Sequence, residues 1–145
     1  VAGTLDIAYA CLFWRLKRGV PPLRIFQSVA AGLLGEASFE GGKETAALGL
    51  ALHYFIALSM SATYYLVARR WPLLWRRPLL CGAGYGMLLY AVMNDIVVPL
   101  SAAGGGGAKD PLWISLSIVV HALLIGVPIA LLVRPAARRW GGHRS

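Results

Sequence analysis

Two histidines, His53 and His121, two aspartates, Asp6 and Asp95, and one asparagine, Asn94, stand inside runs of apolar residues. Their side chains could do three kinds of chemistry. Imidazole titrates near neutral pH, and a neighbouring carboxylate favours its charged form, so a His/Asp cluster can hold a proton or line a polar path for a small ion or solute. Two imidazoles with carboxylates can ligate zinc or iron, which makes His53 and His121 the candidate metal or haem ligands. The plainest role is structural, because His and Asn join membrane helices by hydrogen bonds. No HExxH motif, zinc-type Cys/His spacing or Ser/His/Asp constellation accompanies them, so no enzyme and no cofactor is indicated. Any shared chemistry therefore depends on the elements that bring these residues together.

Those elements belong in a bilayer. Hydrophobic residues make up 58% of the 145 positions and charged residues 14%, against roughly 25% charged in soluble domains. A single soluble domain of this length could not hide so much apolar surface. The net charge of +8 comes from short clusters, "WRLKRG", "ARRWPLLWRRP" and "VRPAARRWGGHR", set between apolar runs. Nucleic-acid binders carry basic residues on a solvated face instead, so that function is excluded and the bilayer is the expected partner. Cys11 and Cys81 lie far apart in apolar segments and read as small hydrophobes.

A span needs about 20 apolar residues. Segments 45–68 and 112–133 carry no formal charge, and 79–101 carries only Asp95. Segment 1–14, "VAGTLDIAYACLFW", starts without Met inside an apolar run and needs further upstream residues to complete a fourth span. The expected fold is an all-α integral membrane bundle, one domain with four transmembrane helices. Segment 22–39 places Ile25, Phe26, Val29, Leu33 and Leu34 on one helical face, which predicts an amphipathic helix lying in the interface between the first and second spans. A fifth span or a re-entrant hairpin is the alternative there. Glu36 and Glu40 share a face if that helix continues; they read as a solvated helix end beside Lys43 rather than an acid–base pair.

Arg69, Arg70, Arg76 and Arg77, and in the tail Arg134, Arg138, Arg139 and Arg144, lie on one side of such a bundle with no acid among them. The positive-inside rule makes that side, and the C-terminus, cytoplasmic in a bacterial inner membrane. Trp71 and Trp75 between the arginine pairs suit the interface, so these six residues are candidate contacts for lipid head groups, anionic ones included. "AAGGGGAKD" is then an external turn that sets Lys109 against Asp110.

Gly82 and Gly86 form a GxxxG, and Ala46, Gly49, His53, Ala57 and Ser61 make a small-residue stripe. Such faces admit a close helix neighbour and also suit a homo-oligomer. Pro99 and Pro128 are expected to kink their spans. Counting from the outer ends at 1.5 Å per residue puts His121 about 13 Å deep, His53 and Asp6 about 12 Å, and Asp95 about 9 Å with Asn94 a step deeper. Four helices thus carry polar groups near one level, and the high cost of charge in hydrocarbon turns such groups inward as a shared cluster.

The blocks "GTLDIAYA", "GVPPLRIFQSVAAGLLG", "ALHYFIAL", "RRPLLCGAGYGMLLYAVMN", "VVPLSA" and "VVHALLIGVPIALL" resemble a group of small bacterial inner-membrane proteins, distantly similar to the YagU-like family. The resemblance implies location and topology but no substrate. It points to His53, Asn94, Pro99 and His121 as matching positions, with Asp95 a departure. The function expected is a small-ion or small-solute transport role, with a non-enzymatic structural or accessory envelope role as the alternative and a metal- or haem-binding membrane protein as the second.

The orientation generates the first prediction. Single cysteines placed in 69–77 should resist a membrane-impermeant thiol reagent applied to intact cells. Efficient labelling from outside would reverse the orientation.

Overall fold

The computed structural model of the chain describes residues 1–104 and 110–141, so Lys109 and Arg144 lie outside the described residues. Six α-helices make up the fold among the described residues. Helix α1 is Ala2–Arg18, α2 is Pro22–Leu34, α3 is Gly42–Ala68, α4 is the single turn Pro72–Arg76 and α5 is Pro78–Leu100. The last, α6, runs from Pro111–Val120 through His121–Gly126 into Val127–Gly141 without a break. Among the described residues, three helices are long and apolar enough to cross a membrane: α3, α5 and α6.

Helix α1 outlasts the expected end near Trp14 by one turn. Arg18 and Lys17 set their charges over the Trp14 and Phe13 rings at 5.5 Å, which lets basic residues continue an apolar helix. It stops at Gly19, whose φ of 65° returns the N–H to the Arg15 and Trp14 carbonyls. Helix α2 starts with Pro22 at its first turn, where a missing N–H costs nothing. It does not continue to residue 39. After Leu34 the chain tightens into a 3-10 turn, Gly35–Phe39, so Glu36 and Glu40 do not share an α-helical face, and both are exposed.

The two prolines in the long helices do not simply kink them. Pro99 offers no N–H to the Asp95 carbonyl, and Pro128 none to Leu124, and each ring crowds that carbonyl. In both helices a π turn ends two residues before the proline, at Val92–Val97 and at His121–Gly126. The wider pairing runs from the Val98 N–H to the Met93 carbonyl and from the Val127 N–H to the Ala122 carbonyl. Such adjustments re-satisfy backbone groups that hydrocarbon cannot.

Glycine sets how the long helices meet. A Cβ on Gly86 would fall 1.9 Å from the His121 carbonyl oxygen, and one on Gly126 would fall 2.0 Å from the Gly82 carbonyl oxygen. The GxxxG of α5 is therefore spent on α6 within the chain, backbone against backbone. Gly49 does the same for α2, since its Cβ would lie 1.8 Å from the Phe26 carbonyl oxygen. Gly3 brings α1 onto α3, with Ala57 at 2.9 Å from a Cβ there.

The apolar core lies toward the basic end, around Tyr64, Leu89, Ile125 and Ile129. Tyr64 donates to the Leu74 carbonyl at 3.1 Å and Tyr85 to the Met60 carbonyl at 2.8 Å, so both hydroxyls are satisfied away from water. At this end Trp71 is exposed as an interface residue would be, but Trp75 is not: it packs against the core, with Arg76 over its ring at 5.4 Å. Trp71 precedes α4 as its extended N-cap residue, with φ −116° and ψ 101°, so it does not share the face of Trp75 that a helical spacing of four would give.

A paired substitution tests the α5–α6 contact. Gly86→Ala forces two backbones apart and should cost about 1–3 kcal/mol by overpacking, whereas Gly84 has nothing within 4 Å of an added Cβ. Gly84→Ala should leave thermal stability in detergent unchanged or raised. Equal stability of the two variants would contradict the packing described.

Candidate functional site

A cavity of about 270 Å³ lies between α1, α2, α3, α5 and α6. Asp6, His53, Asn94 and His121, one from each of four helices, line it. Asp95 does not. It is exposed on the outward flank of α5, where a charge costs at least about 2.5–3.5 kcal/mol in hydrocarbon. The reason is local: adjacent residues on a helix face different ways, and the π turn that contains both sends Asn94 inward.

Each side chain is held by the backbone. His53 follows Gly49 on the small-residue stripe of α3, and the close approach of α1 lets its Nε2–H donate to the Gly3 carbonyl at 2.7 Å. His121 opens the π turn of α6; its Nδ1–H donates to the Ser117 carbonyl at 2.8 Å, and its ring meets Tyr90 edge-on at 5.2 Å. The Asn94 amide nitrogen donates to the Tyr90 carbonyl at 2.9 Å. Asp6 reaches the same cavity from α1. With each ring bonded to a carbonyl, His53 and His121 face one space without a hydrogen bond to each other.

The opposite wall was not anticipated. Tyr9, Phe13 and Trp14 of α1 close on Trp113 of α6; Tyr9 stacks on Trp113 at 5.3 Å and 8°, and Trp14 lies at 5.2 Å. The Tyr9 hydroxyl shares a 3.4 Å hydrogen bond with Ser117. The sequence signal was available, since Tyr9 and Phe13 are one turn apart and Trp113 is near the start of its helix. Trp14, Tyr9 and Trp113 reach the cavity and cap it on the side where α6 begins.

Two polar contacts fasten this end. Lys17 of α1 pairs with Asp110. Asp110 also caps α6, accepting from the Leu112 and Trp113 N–H groups at 3.0 and 3.1 Å. Gln27 of α2, only 1% exposed, donates to the Gly42 carbonyl at 3.0 Å and to Thr45 at 3.3 Å. Thr45 in turn donates to the Ser38 carbonyl at 2.6 Å. That knot holds α2 across the first turns of α3, and α2 contributes Ile25, Ser28 and Val29 to the cavity.

Among the described residues no group of three His, Cys, Asp or Glu side chains is arranged to hold a metal ion. His53 and His121 each give one ring nitrogen to a carbonyl, at Gly3 and at Ser117. The arrangement can instead enclose a small molecule between hydrogen-bonding groups and aromatic rings. In class, then, the described residues form an all-helical fold with three membrane-length apolar helices and a mainly apolar cavity that four polar side chains reach. No family model, curated protein or solved structure matches the chain.

The Lys17 hydrogen bond, with the Trp113 N–H next, holds the Asp110 carboxyl below its ordinary range. A depressed folded value means stability that is present above the ordinary carboxylate value and lost as pH falls through the lowered one. Between pH 6 and pH 3, Asp110→Asn should be less stable than the parent at the upper end, and the gap should close toward the lower end. A gap that is constant across this range in thermal unfolding would remove the ion pair from the account.

Proposed function

We propose that this chain is a four-span bacterial inner-membrane protein that binds a small solute or ion in its cavity and moves it across the bilayer. The carrying observation is that Asp6, His53, Asn94 and His121 reach one cavity from four different helices. Helix α1, at 17 residues, covers about 26 Å of a core about 30 Å thick, and serves as the fourth span. Helix α2 rides in the outer interface over the start of α3. The arginines of the α3–α5 connection and the tail are cytoplasmic and meet anionic head groups. The likeness to YagU-like inner-membrane proteins agrees with this location.

Two features support movement rather than permanent enclosure. The π turns flank the cavity in both α5 and α6, and a proline-relieved segment in each helix is a natural place for bending. The fastening at the α6 end is by an ion pair and aromatic contacts, which can separate without exposing backbone.

A structural reading rests on a different observation. The His53–Gly3 bond ties α1 to α3, and a polar network of that kind can serve assembly alone. Flux from proteoliposomes separates the two. Transport predicts uptake by the parent protein that falls about tenfold or more in His121→Ala, the loss of one hydrogen-bonding group at the solute, with Asp95→Asn unaffected. A folded parent with no flux of any small cation, anion or neutral solute would leave the structural role.

A further inference from the structure

The polar groups of the cavity share a property that their identities alone do not reveal. Each gives an N–H or O–H to the backbone. The Nε2–H of His53 is taken by Gly3, the Nδ1–H of His121 by Ser117, and one amide N–H of Asn94 by Tyr90. The Ser28 hydroxyl, also on the lining, donates to the Ile25 carbonyl at 2.7 Å. The other ring nitrogen, Nδ1 of His53 and Nε2 of His121, is an acceptor in the neutral tautomer, and Asn94 keeps its carbonyl oxygen and its second N–H. Asp6 adds a carboxyl group, and it makes no hydrogen bond or ion pair among the described residues.

Among the described residues no lysine or arginine lines the cavity. At its aromatic end Lys17 is paired with Asp110 and lies over the Phe13 ring, and Arg18 lies over the Trp14 ring. The wall at that end is a Tyr/Trp cluster, whose ring quadrupoles attract cations. An anion would meet the Asp6 carboxyl and a row of acceptors, with no lysine or arginine among the described lining residues to receive it. A bare metal ion would find no group of three ligating side chains among the described residues.

We propose that the cavity binds a small organic ammonium ion, its N–H groups directed at Asp6, His53, Asn94 and His121 and its carbon skeleton against Tyr9, Trp14 and Trp113. The inference rests on the cavity being a solute site, as in the function proposed above, and names the class of solute. The charge argument is direct. Asp6 is the only acidic or basic residue with a formal charge on the lining, and a cationic guest pairs with it so that the occupied cavity carries no net charge. The volume of about 270 Å³ admits an amine with a ring or a short branched chain and excludes macromolecular substrates.

Three probes that share one ring and differ in charge test this on the full chain in detergent: benzylammonium, benzyl alcohol and benzoate, titrated calorimetrically with the tryptophan signals followed in parallel. Saturable binding of benzylammonium about tenfold or more tighter than of benzyl alcohol, with none for benzoate, is expected for a charge-assisted site. Asp6→Asn should reduce the ammonium affinity by a similar factor and leave the alcohol alone, and Asp95→Asn should change neither. The comparison among probes on the parent protein needs no variant to fold. Alcohol or benzoate binding as tightly as the ammonium, zinc binding in preference to it, or no ammonium binding by folded protein would each overturn the proposal. Binding without flux would sustain it while removing the transport reading; flux of an anion without ammonium binding would do the reverse.

Discussion

The close contact between α5 and α6 is the constraint on which the rest of the molecule depends. Lipid chains are as apolar as leucine, so burial supplies little drive for two helices to associate within a bilayer, and close van der Waals approach must do so. Gly82, Gly86 and Gly126 remove the side chains that would prevent it. The contact lies directly under the His121 carbonyl, and it fixes the rotation of α6. With that rotation set, His121 is turned toward α1 and α3, and Tyr90 of α5 is brought against its ring. The cavity is what remains when two helices are drawn together at one level and the other helices cannot follow as closely.

A second constraint shapes that space. Backbone and side-chain polar groups in a bilayer have no water to turn to. Pro99 and Pro128 create such a problem, and the chain answers with a π turn before each. The same turns carry Asn94 and His121. The defect that proline introduces thus becomes the place where the polar side chains are mounted, and the carbonyls of neighbouring turns take an N–H from each. Polar groups anchored by a donor and with open acceptors can remain at this depth without a permanent protein partner.

Part of this was legible in the sequence. The apolar runs of α3, α5 and α6 declared themselves by length, and counting residues from the helix ends, α1 included, brought Asp6, His53, Asn94 and His121 to one level. Counting could not choose between Asn94 and Asp95, because a π turn shifts the phase of the helix and nothing in a strict 3.6-residue count registers it. The glycine pair was visible as a close-packing face, but not whether it would meet α6 or a second copy of the chain. The extra turn of α1 was hidden by its basic residues, of which Lys17 and Arg18 lie over aromatic rings. Trp75 packs on the core, and α4, a single turn, has no periodicity to show which face is buried. Gln27, a polar residue in a mainly apolar segment, is the centre of the α2–α3 knot.

The central claim is that four polar side chains share one accessible cavity and are not four separate pieces of helix glue. Water-edited solid-state NMR of the protein in lipid bilayers tests it most directly, since magnetisation passes from mobile water only to groups that water reaches. The account predicts transfer to the side chains of Asp6, His53, Asn94 and His121 at similar build-up rates, while Leu123 and Leu124, on the exposed apolar flank of the same π turn, stay dark. Transfer absent from all four, or reaching only one of the two histidines, would contradict it.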